Sequence, residues 1–528
     1  MKHYSFHAYF VYIHHRIAFT LFFVAFMFVN LPCAFAASDV KRVKLFVKEV
    51  PITVYGKKVM VAAVQQADGT LGYSPEQKNG FHVELINQLT VPTTIHWHGL
   101  SLPNGMDGVP FVTQKPIPPG GSYFYDFPLK EHGTYWMHSH YALQEQDLLA
   151  APMVIWTPEE RAKANRQYVV TLSDFSFTPP DQILKNLQDA PAMNMKTDTT
   201  PRSGMEEMKG MKVSSQKQPL VITQAWDQTT HRFVRATKYT APANIDVNYD
   251  ALLANLRTMD HPEVMEVRPG ESVLLRIIAA SCALNFFIDT GSLDAELLAV
   301  DGRPVKPLRG NFFQLAIGQR IDVRVKIPKT GGAFPIIAQG EGSTLLGGVI
   351  LASKGAAISA LPHHATLKTA SLDNLQESKL RATHPLTKKK ATCSLPAVLA
   401  GSMVGYKWSI NGKAYPNHDA LLVKKGDRVE ITITNNTAMG HPMHLHDGSF
   451  HVVEINGKPF SGAERDTIEV PPHETVKIAF DALNPGVWAF HCHLLYHAYS
   501  GMFTVLKYEG ADTKFWRPEK FFTQVFGL

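Results

Sequence analysis

The chain has 528 residues, of which 45% are hydrophobic and 19% are charged, and its formal net charge at pH 7 is +6. This length is too great for one hydrophobic core and predicts about three to four domains. The 36 glycines and 34 prolines are near average usage, which excludes a collagen-like or low-complexity chain. The small charge excess, without a dense basic run, argues against a dedicated nucleic-acid binder. Four cysteines exclude a disulfide scaffold, whereas the 24 histidines are numerous and clustered.

The first 36 residues have the pattern of a secretory signal peptide. Lys2 and Arg16 precede an apolar stretch at 17–33, and Ala34-Phe35-Ala36 is a small-x-small cleavage site. An uncleaved membrane anchor is the alternative, although the stretch is near the short limit for a membrane span. We therefore expect export by the general secretory route, a periplasmic location, and a mature form that does not span the membrane.

After residue 40, short β-branched and aromatic runs alternate with turn residues, which is typical of β-sandwiches. A turn followed by an alternating strand occurs three times, as FHVELINQ, ESVLLRIIAAS and DRVEITITNN. A second pattern occurs twice, as GSYFYDF with TYWMHSH and as ETVKIAF with VWAFHCH. Such self-similarity predicts duplicated all-β domains. We place the signal peptide at 1–36, domains at 37–157, 158–353 and 395–528, and a linker at 354–394.

The middle repeat lacks the histidines of its neighbours and carries Cys282-Ala-Leu-Asn-Phe286 in their place, so we expect a structural or spacing role. Its polar insert at 190–217 contains Met205, Met208 and Met211, each three residues apart. Soft thioethers select Cu(I), so these methionines are candidate ligands for a substrate metal. An amphipathic methionine stripe that packs on the surface is the alternative.

Ten of the twenty histidines after residue 36 lie in four short segments at repeated strand ends. Isolated histidines elsewhere are expected to be ordinary core or surface residues. The segments are His96-Trp-His98, His138-Ser-His140, His441-Pro-Met-His444-Leu-His446, and His491-Cys492-His493 followed by His497 and Met502.

Strand geometry sorts these residues into two metal centres, because side chains two positions apart share a face and adjacent ones do not. His441 and Cys492 fall into one centre, which His497 and Met502 complete from the following loop. This donor set matches a blue-copper electron-transfer site, whereas zinc would gain nothing from a thioether. The other eight histidines are too many for one ion and predict a cluster of two or three. One blue copper and three clustered coppers hold four electrons, enough to reduce O2 to water.

The four motifs, their order and their places at the two ends of a three-domain chain resemble the multicopper oxidases, over essentially all of 40–510. The resemblance implies three cupredoxin-like Greek-key β-sandwiches and four copper ions, one of type 1, one of type 2 and two of type 3. It implies a type 1 copper bound by His441, Cys492 and His497, with Met502 axial, and a type 2 copper bound by His96 and His444. The implied type 3 ligands are His98, His138, His140, His446, His491 and His493.

Three acid positions bear on proton supply. Asp107, in NGMDGVP, stands where the family often has an acid near the type 2 copper, and we expect a proton relay there or else a turn aspartate before Gly108. Many bacterial relatives have an acid directly after the last type 1 histidine, but this chain has Ala498, which leaves a relay there in doubt. Asp447 follows His446 and has three open roles: proton relay, donor binding or turn capping.

The electron donor is Cu(I), Fe(II), or a phenol or aromatic amine. Glu464 and Asp466 are candidate Fe(II) carboxylates near the type 1 site, or else they have a surface-charge or packing role. Met439 and Met443 could guide a soft ion or simply pack. Our main prediction is an exported oxidase that couples four one-electron oxidations of Cu(I) or Fe(II) to reduction of O2, for metal detoxification. The alternatives are a laccase-type phenol oxidase and a copper-sequestering protein. Whether Cys282 and Cys393 form a disulfide stays open.

Overall fold

The structure is a computed structural model that describes residues 42–162, 166–190 and 218–520. The expected signal peptide and the methionines of the expected insert, including Met205, Met208 and Met211, lie outside these residues. Strands dominate the described chain and its α-helices are few and short, so the all-β prediction is confirmed. No helix in these ranges is both long and apolar enough to cross a membrane.

The first part of the chain forms a four-stranded and a three-stranded sheet. The strands are β1 (Val43–Val54), β2 (Lys57–Gln65), β3 (Phe81–Asn87), β4 (Ile95–His98), β5 (Ser122–Phe127), β6 (Gly133–Ser139) and β7 (Ala150–Ile155). The strand orders are β2-β1-β3-β5 and β4-β6-β7. Two 3-10 turns, Gln77–Asn79 and Asn104–Met106, lie between strands, and helix α1 (Pro158–Ala162) follows β7.

The middle part forms an eight-stranded and a five-stranded sheet. Its elements are β8 (Arg166–Phe175), α2 (Pro180–Asp189), β9 (Leu220–Asp227), β10 (Arg232–Tyr239), β11 (Ala251–Ala254), β12 (Glu263–Val267), β13 (Ser272–Ala279), β14 (Phe286–Asp289), β15 (Asp294–Val300), β16 (Arg303–Gly310), β17 (Phe312–Leu315), β18 (Arg320–Lys326), β19 (Ala333–Gly340) and β20 (Leu346–Ser353). The strand orders are β11-β8-β13-β18-β15-β16-β10-β9 and β12-β20-β19-β14-β17.

The last part forms a seven-stranded and a five-stranded sheet. Its elements are β21 (Cys393–Ser402), β22 (Lys407–Ile410), β23 (Leu421–Val423), β24 (Arg428–Asn435), β25 (His441–Leu445), β26 (Phe450–Ile455), β27 (Lys458–Pro459), β28 (Glu464–Arg465), β29 (Thr467–Val470), β30 (Thr475–Asp481), β31 (Val487–Cys492), α3 (Leu495–Tyr499) and β32 (Phe503–Tyr508). The strand orders are β22-β21-β24-β30-β26-β27, with β28 on β26, and β23-β32-β31-β25-β29.

The three parts repeat one topology. In each, the strand expected from the turn-and-strand pattern, β3, β13 or β24, pairs in parallel with the first strand of its part, β1, β8 or β21. On its other side it pairs antiparallel with β5, β18 or β30. Buried and partly exposed positions alternate along β3 because one face of the strand covers the core. The predicted repeat and the three cupredoxin-like sandwiches are therefore confirmed.

The second sheet of each part has a matching central pair: β4 with β6, β14 with β19, and β25 with β31. The first and last of these pairs carry the histidine motifs. In the middle pair, apolar side chains such as Phe286 and Ile288 occupy the corresponding strand and lie in the core. The same pair of strands is therefore present in all three parts, but it carries histidine motifs in only two of them.

The stretch between β20 and β21 contains no strand, although all of its residues are described. It holds a 3-10 turn, Glu377–Lys379, and the buried side chain of Leu380. Its backbone bonds both neighbouring parts, since Lys306 N–H donates to Arg381 O and Ala382 N–H donates to Gly462 O. The stretch is thus packed along the sandwiches, and the domain boundaries we expect on either side of it stay a prediction.

Candidate metal centre

Strand register brings the four histidine pairs to two facing ladders. His96 of β4 lies opposite His138 of β6, and His444 of β25 lies opposite His491 of β31. Because alternate residues share a face, the second histidine of each His-x-His pair points to the same side as the first. Each ladder therefore presents four imidazoles to one region.

The two ladders meet. The imidazole of His98 stacks on that of His444, with ring centroids 3.8 Å apart and an interplanar angle of 13°. His96 lies 3.9 Å from His446 by the same measure. The first and last parts of the chain thus share one buried centre, and its ring nitrogens form three sets within 4.8 Å: His96, His98 and His444; His98, His138 and His493; His140, His446 and His491.

Burial keeps the imidazoles of this centre in the neutral form, which is the form that binds metal ions. Removal from water lowers the pKa well below the usual histidine value, and the neighbouring imidazoles lower it further. The affected residues are His98, His138, His140, His444, His446 and His493, and the pKa of His491 falls to about 3. These imidazoles are neutral at physiological pH, so their ring nitrogens have free lone pairs.

Several of those lone pairs have no hydrogen-bond partner. Among the described residues, the Nε2 atoms of His96, His140, His444 and His493 are buried and unpartnered. Unsatisfied buried polar atoms are costly, and a cluster of neutral imidazoles suits copper. The donor set therefore fits a group of copper ions.

A second group lies on the opposite side of the same strands, as the parity argument predicts. His441 Nδ1 and His497 Nδ1 are 3.1 Å apart, and Cys492 Sγ lies 3.7 Å and 3.9 Å from them. All three side chains are buried. Burial raises the pKa of the Cys492 thiol, so the thiolate needs a cation beside it. One soft metal ion fits this three-donor set.

Met502 and Cys492 are tied together through the backbone. Cys492 N–H donates to Met502 O at 3.0 Å, and Met502 N–H donates to His497 O at 2.9 Å. The loop after β31, with α3, therefore returns the chain to the second group. Met502 is fully buried there.

Outer polar groups orient the imidazoles of the second group. His441 Nε2 lies 2.7 Å from Thr437 Oγ1, and His497 Nε2 lies 2.9 Å from Asp246 Oδ2. Asp246 comes from the connection between β10 and β11 and also accepts a hydrogen bond from Tyr406. A hydrogen bond with Thr437 therefore holds Nε2 of His441, whereas the Asp246 carboxylate lies close to Nε2 of His497 without hydrogen-bond geometry, and in both residues Nδ1 can face the metal.

Asp107 lies at the eight-histidine centre and is fully buried. Its carboxylate Oδ2 is 2.9 Å from His446 Nδ1, and its backbone oxygen is 2.7 Å from His96 Nδ1. It ends the 3-10 turn after β4, and Gly108 follows with a φ of +85°. Asp107 is therefore both a turn residue and a direct partner of two candidate ligands, while its proton-relay role stays a prediction.

Two acids at the same centre were not assigned to it by the sequence argument. Glu145 Oε2 accepts from His138 Nδ1 at 3.0 Å, and Asp466 Oδ1 lies 3.0 Å from His98 Nε2. Glu145 is five residues after His140, so its proximity in sequence was the available signal. Asp466 lies 368 residues from His98, and no local pattern joins them.

The expectation that Asp466 and Glu464 supply carboxylates near the type 1 site is wrong. Asp466 pairs with Arg320 beside His98, at the other centre. Glu464 lies 3.3 Å from Arg303 and accepts from Ser449. Their charges are thus already used in buried or partly buried pairs away from His497.

The two methionines beside His441 pack into the core, since Met443 is fully buried and Met439 is 7% exposed. This matches the packing alternative. None of the three cysteines in the described chain forms a disulfide, so Cys282 and Cys393 are free thiols.

Asp447 and Ala498 also take definite places. Asp447 has a φ of +86°, which explains why glycine suits this position, and it accepts from Tyr508 at 3.1 Å. Ala498 lines a small cavity of about 20 Å³ beside His140 and His493, and Glu145 lines the same cavity. The carboxylate at this cavity therefore comes from the loop before β7, whereas residue 498 contributes only a methyl group.

Family models described as multicopper oxidase match residues 75–160, 166–356 and 390–512. The chain is 30% identical over 433 residues to "Multicopper oxidase MmcO" of Mycobacterium tuberculosis, covering 81% of this chain and 79% of that relative. It is 27% identical to "Copper resistance protein A" of Escherichia coli, covering 80% and 85%. Fet3p, a multicopper oxidase that functions in iron import, has the same fold, with a TM-score of 0.69, 19% identity, and coverage of 92% and 94%. The family models match all three sandwiches, and the two histidine centres are joined through Cys492. This chain is therefore a member of the multicopper oxidase family.

Proposed function

We propose that this oxidoreductase takes electrons one at a time from Cu(I) or Fe(II) and uses four of them to reduce O2 to two waters, in metal detoxification. Its cofactors are four copper ions. When bound, copper supplies the one-electron redox chemistry. The observation that carries the choice of donor is the carboxylate of Asp246 at the outer edge of His497.

We assign the ligands as the resemblance implies. His441, Cys492 and His497 would hold the type 1 copper, with Met502 axial. Support comes from the short distances among the three donor atoms and from the buried position of Met502. His96 and His444 would hold type 2, and the type 3 pair would be held by His98, His138 and His493 on one side and His140, His446 and His491 on the other.

Cys492 also links the two groups covalently. His491 and His493 are its neighbours in the chain and belong to the two type 3 sets. His491 Nδ1 lies 2.8 Å from Cys492 O, so a hydrogen bond shortens the path from the thiol to one imidazole. An electron accepted at the type 1 site thus has only a few bonds to cross.

The surroundings of His497 favour a small cationic donor. Its imidazole is fully buried and stacks on Trp408, with centroids 3.7 Å apart. The side chains of His497 and Asp246 are both 0% exposed, so a donor outside the protein touches neither of them and senses the Asp246 carboxylate through its charge. A negative charge directly on the ring edge attracts a metal cation and stabilises the more highly charged product ion.

We further propose that the protein is exported to the periplasm, on the basis of residues 1–36. Met205, Met208 and Met211 would then supply Cu(I) as donor. These residues lie outside the described chain, and their support is the soft thioether chemistry of the segment. The relatives named Copper resistance protein A support copper, rather than a location, as part of this proposal.

The test is oxygen uptake by the copper-loaded protein with four donors: Cu(I), Fe(II), dimethoxyphenol and the anionic hexacyanoferrate(II). Asp246→Asn removes the charge and keeps the shape. We expect kcat/KM for both metal cations to fall about ten- to hundred-fold, because two unit charges about 8 Å apart at an effective dielectric constant of about 20 interact by about 2 kcal/mol. Turnover of the anionic donor should rise or stay constant. The matched control is Asp250→Asn, an exposed carboxylate of the same connection that bonds Ser176 and Phe177 instead.

The outcomes separate the alternatives. Rapid phenol turnover with slow metal oxidation would replace the proposal by a laccase-type activity. No oxygen uptake with any donor, despite four bound coppers, would indicate sequestration. An equal loss for cationic and anionic donors in Asp246→Asn would show that the carboxylate acts on the copper site and not on the donor.

A further inference from the structure

The middle part of the chain has no histidine ligand, yet one of its side chains reaches the eight-histidine centre. Arg320, the first residue of β18, is fully buried. Its Nη1 and Nη2 donate to the two carboxylate oxygens of Asp466 at 2.8 Å and 2.5 Å. Its Nε donates to Thr134 O, so one guanidinium holds residues from both the first and last parts.

Asp466 in turn contacts two candidate copper ligands. Its Oδ1 is 3.0 Å from His98 Nε2, and its backbone oxygen is 2.8 Å from His444 Nδ1. These are the two imidazoles that stack across the junction of the ladders. A displacement of Asp466 therefore moves a ligand from each end of the chain.

The backbone is shaped around this ion pair. Gly99 follows His98 with a φ of +87°, and a Cβ there would lie 2.3 Å from Asp466 Oδ2 and 2.6 Å from Arg320 Nη2. Gly318 approaches the centre from β18, since a Cβ there would lie 2.9 Å from His493 Cδ2. Neither glycine can carry a side chain without moving the pair or the histidine.

A second layer fixes the guanidinium from behind. Asp301 is fully buried, accepts from the backbone N–H of Arg320 at 3.0 Å, and lies 3.9 Å from Nη1 of the guanidinium as an ion pair. Asp301 also lies 3.3 Å from Arg465 Nη1, and Arg465 pairs with Glu377 at 2.8 Å. Buried charges are tolerated only when paired in this way, so the network has little freedom to rearrange.

We propose that Arg320 is a positioning residue for the copper cluster: by holding Asp466, the ligand-free middle part sets the orientation of His98 and His444. This inference rests on the assignment of those histidines as copper ligands made above. The planar fork of arginine matches a carboxylate at two points, whereas lysine offers a single point charge. Arg320→Lys thus keeps the positive charge but loses the two-point contact that fixes the carboxylate of Asp466.

The experiment compares Arg320→Lys with Arg276→Lys in the copper-loaded protein. Arg276 is a matched control because it is also buried, lies on the adjacent strand β13, and also contacts Thr134, but it pairs with Asp322 at 2.7 Å instead of with Asp466. The readouts are copper per chain, the electron paramagnetic resonance signal of type 2 copper, the blue band of type 1 copper, and kcat and KM for O2.

We expect Arg320→Lys to keep the blue band, to alter or weaken the type 2 signal, and to lower copper affinity or turnover about ten- to hundred-fold. Arg276→Lys should keep both copper signals. His444→Ala tests the underlying ligand assignment separately, because retention of type 2 copper in that variant would refute the assignment itself. If Arg320→Lys does not fold, Asp301→Asn loosens the same guanidinium without touching a histidine and should shift the type 2 signal in the same direction.

Two results would overturn the proposal. One is a type 2 signal and copper content in the Arg320 and Asp301 variants equal to those of the parent protein. The other is an equal copper loss in Arg276→Lys, which would mean that any break in this sheet disturbs the centre.

Discussion

Replacing Glu145 tests whether an acid from outside the histidine motifs holds the type 3 copper pair. Glu145 Oε2 accepts from His138 Nδ1 at 3.0 Å, and Glu145 is 4% exposed. His493 Nδ1 is 3.9 Å from the other oxygen, which is too long for a hydrogen bond. Burial raises the pKa of Glu145 well above its usual value, so this bond is not counted as charge-assisted. Glu145→Ala therefore removes the hydrogen-bond partner of one buried candidate ligand.

The expected magnitude follows from that single bond. Leaving a buried polar group without its partner costs about 1–3 kcal/mol, and about 1.4 kcal/mol corresponds to a factor of ten. Copper affinity at the type 3 pair should therefore fall about ten- to hundred-fold in Glu145→Ala. Glu145→Gln should lose less than about tenfold, because its amide oxygen still accepts from His138.

The assay is copper per chain after dialysis against graded concentrations of a chelator, together with the near-ultraviolet band of the coupled type 3 pair. Gln146→Ala is the control, since Gln146 is a buried neighbour that accepts from Tyr249 and Tyr496 and contacts no histidine. It should lower the melting temperature but keep all the copper. Full copper retention in Glu145→Ala, or an equal loss in Gln146→Ala, would refute the reasoning.

Three further predictions concern the two centres. Cys492→Ser should abolish the blue band and donor oxidation while the eight-histidine centre keeps its copper, and loss of all copper by elemental analysis would contradict separate centres. Gly318 has a φ of +80°, and a Cβ there would lie 2.9 Å from His493, so Gly318→Ala should lose type 3 copper. Gly270 has a similar φ of +79°, but the nearest atom to its Cβ would be 3.6 Å away, so Gly270→Ala should cost only about 1 kcal/mol of stability. Burial lowers the pKa of His491 to about 3 from 6.5, so below about pH 6.5 the unfolded chain takes up a proton that the folded chain does not. Denaturant titration of the copper-free protein and of His491→Gln gives the difference between their unfolding free energies. This difference should fall by about 2 kcal/mol between pH 6.5 and 5 and stay flat above pH 7. A difference that is flat throughout would contradict the pKa shift.

The sorting of histidines into two groups was predictable because it depends on local geometry. Side chains two residues apart on a strand lie on the same face. His491 and His493 therefore point to the face opposite to that of Cys492, whatever the rest of the chain does. The repeat of β3, β13 and β24 was predictable for the same reason, since a turn glycine and alternating burial are local signals. Both predictions depended on patterns within about ten residues.

The partners of the histidines were not predictable in this way. Asp246 reaches His497, and Asp466 reaches His98, across hundreds of residues. Only the packing of whole sandwiches brings these pairs together, and a single sequence holds no signal for that packing. Asp466 shows the consequence, because its type and position suggested a donor site and the fold instead turns it toward Arg320.

The same limit explains why the middle part looked like a spacer. A repeat without histidine motifs carries no chemical signal, yet this one places Asp246 beside His497 of the Cys492 group and Arg320 beside the eight-histidine group. Arg320 lies on β18, and Asp246 lies in the connection between β10 and β11; all three strands belong to the same eight-stranded sheet. A rigid body that contacts two redox centres fixes their relative position, which electron transfer between them requires to be constant. Loss of its own ligands would then cost the middle repeat little, because contact with both centres is a sufficient reason to keep its packing.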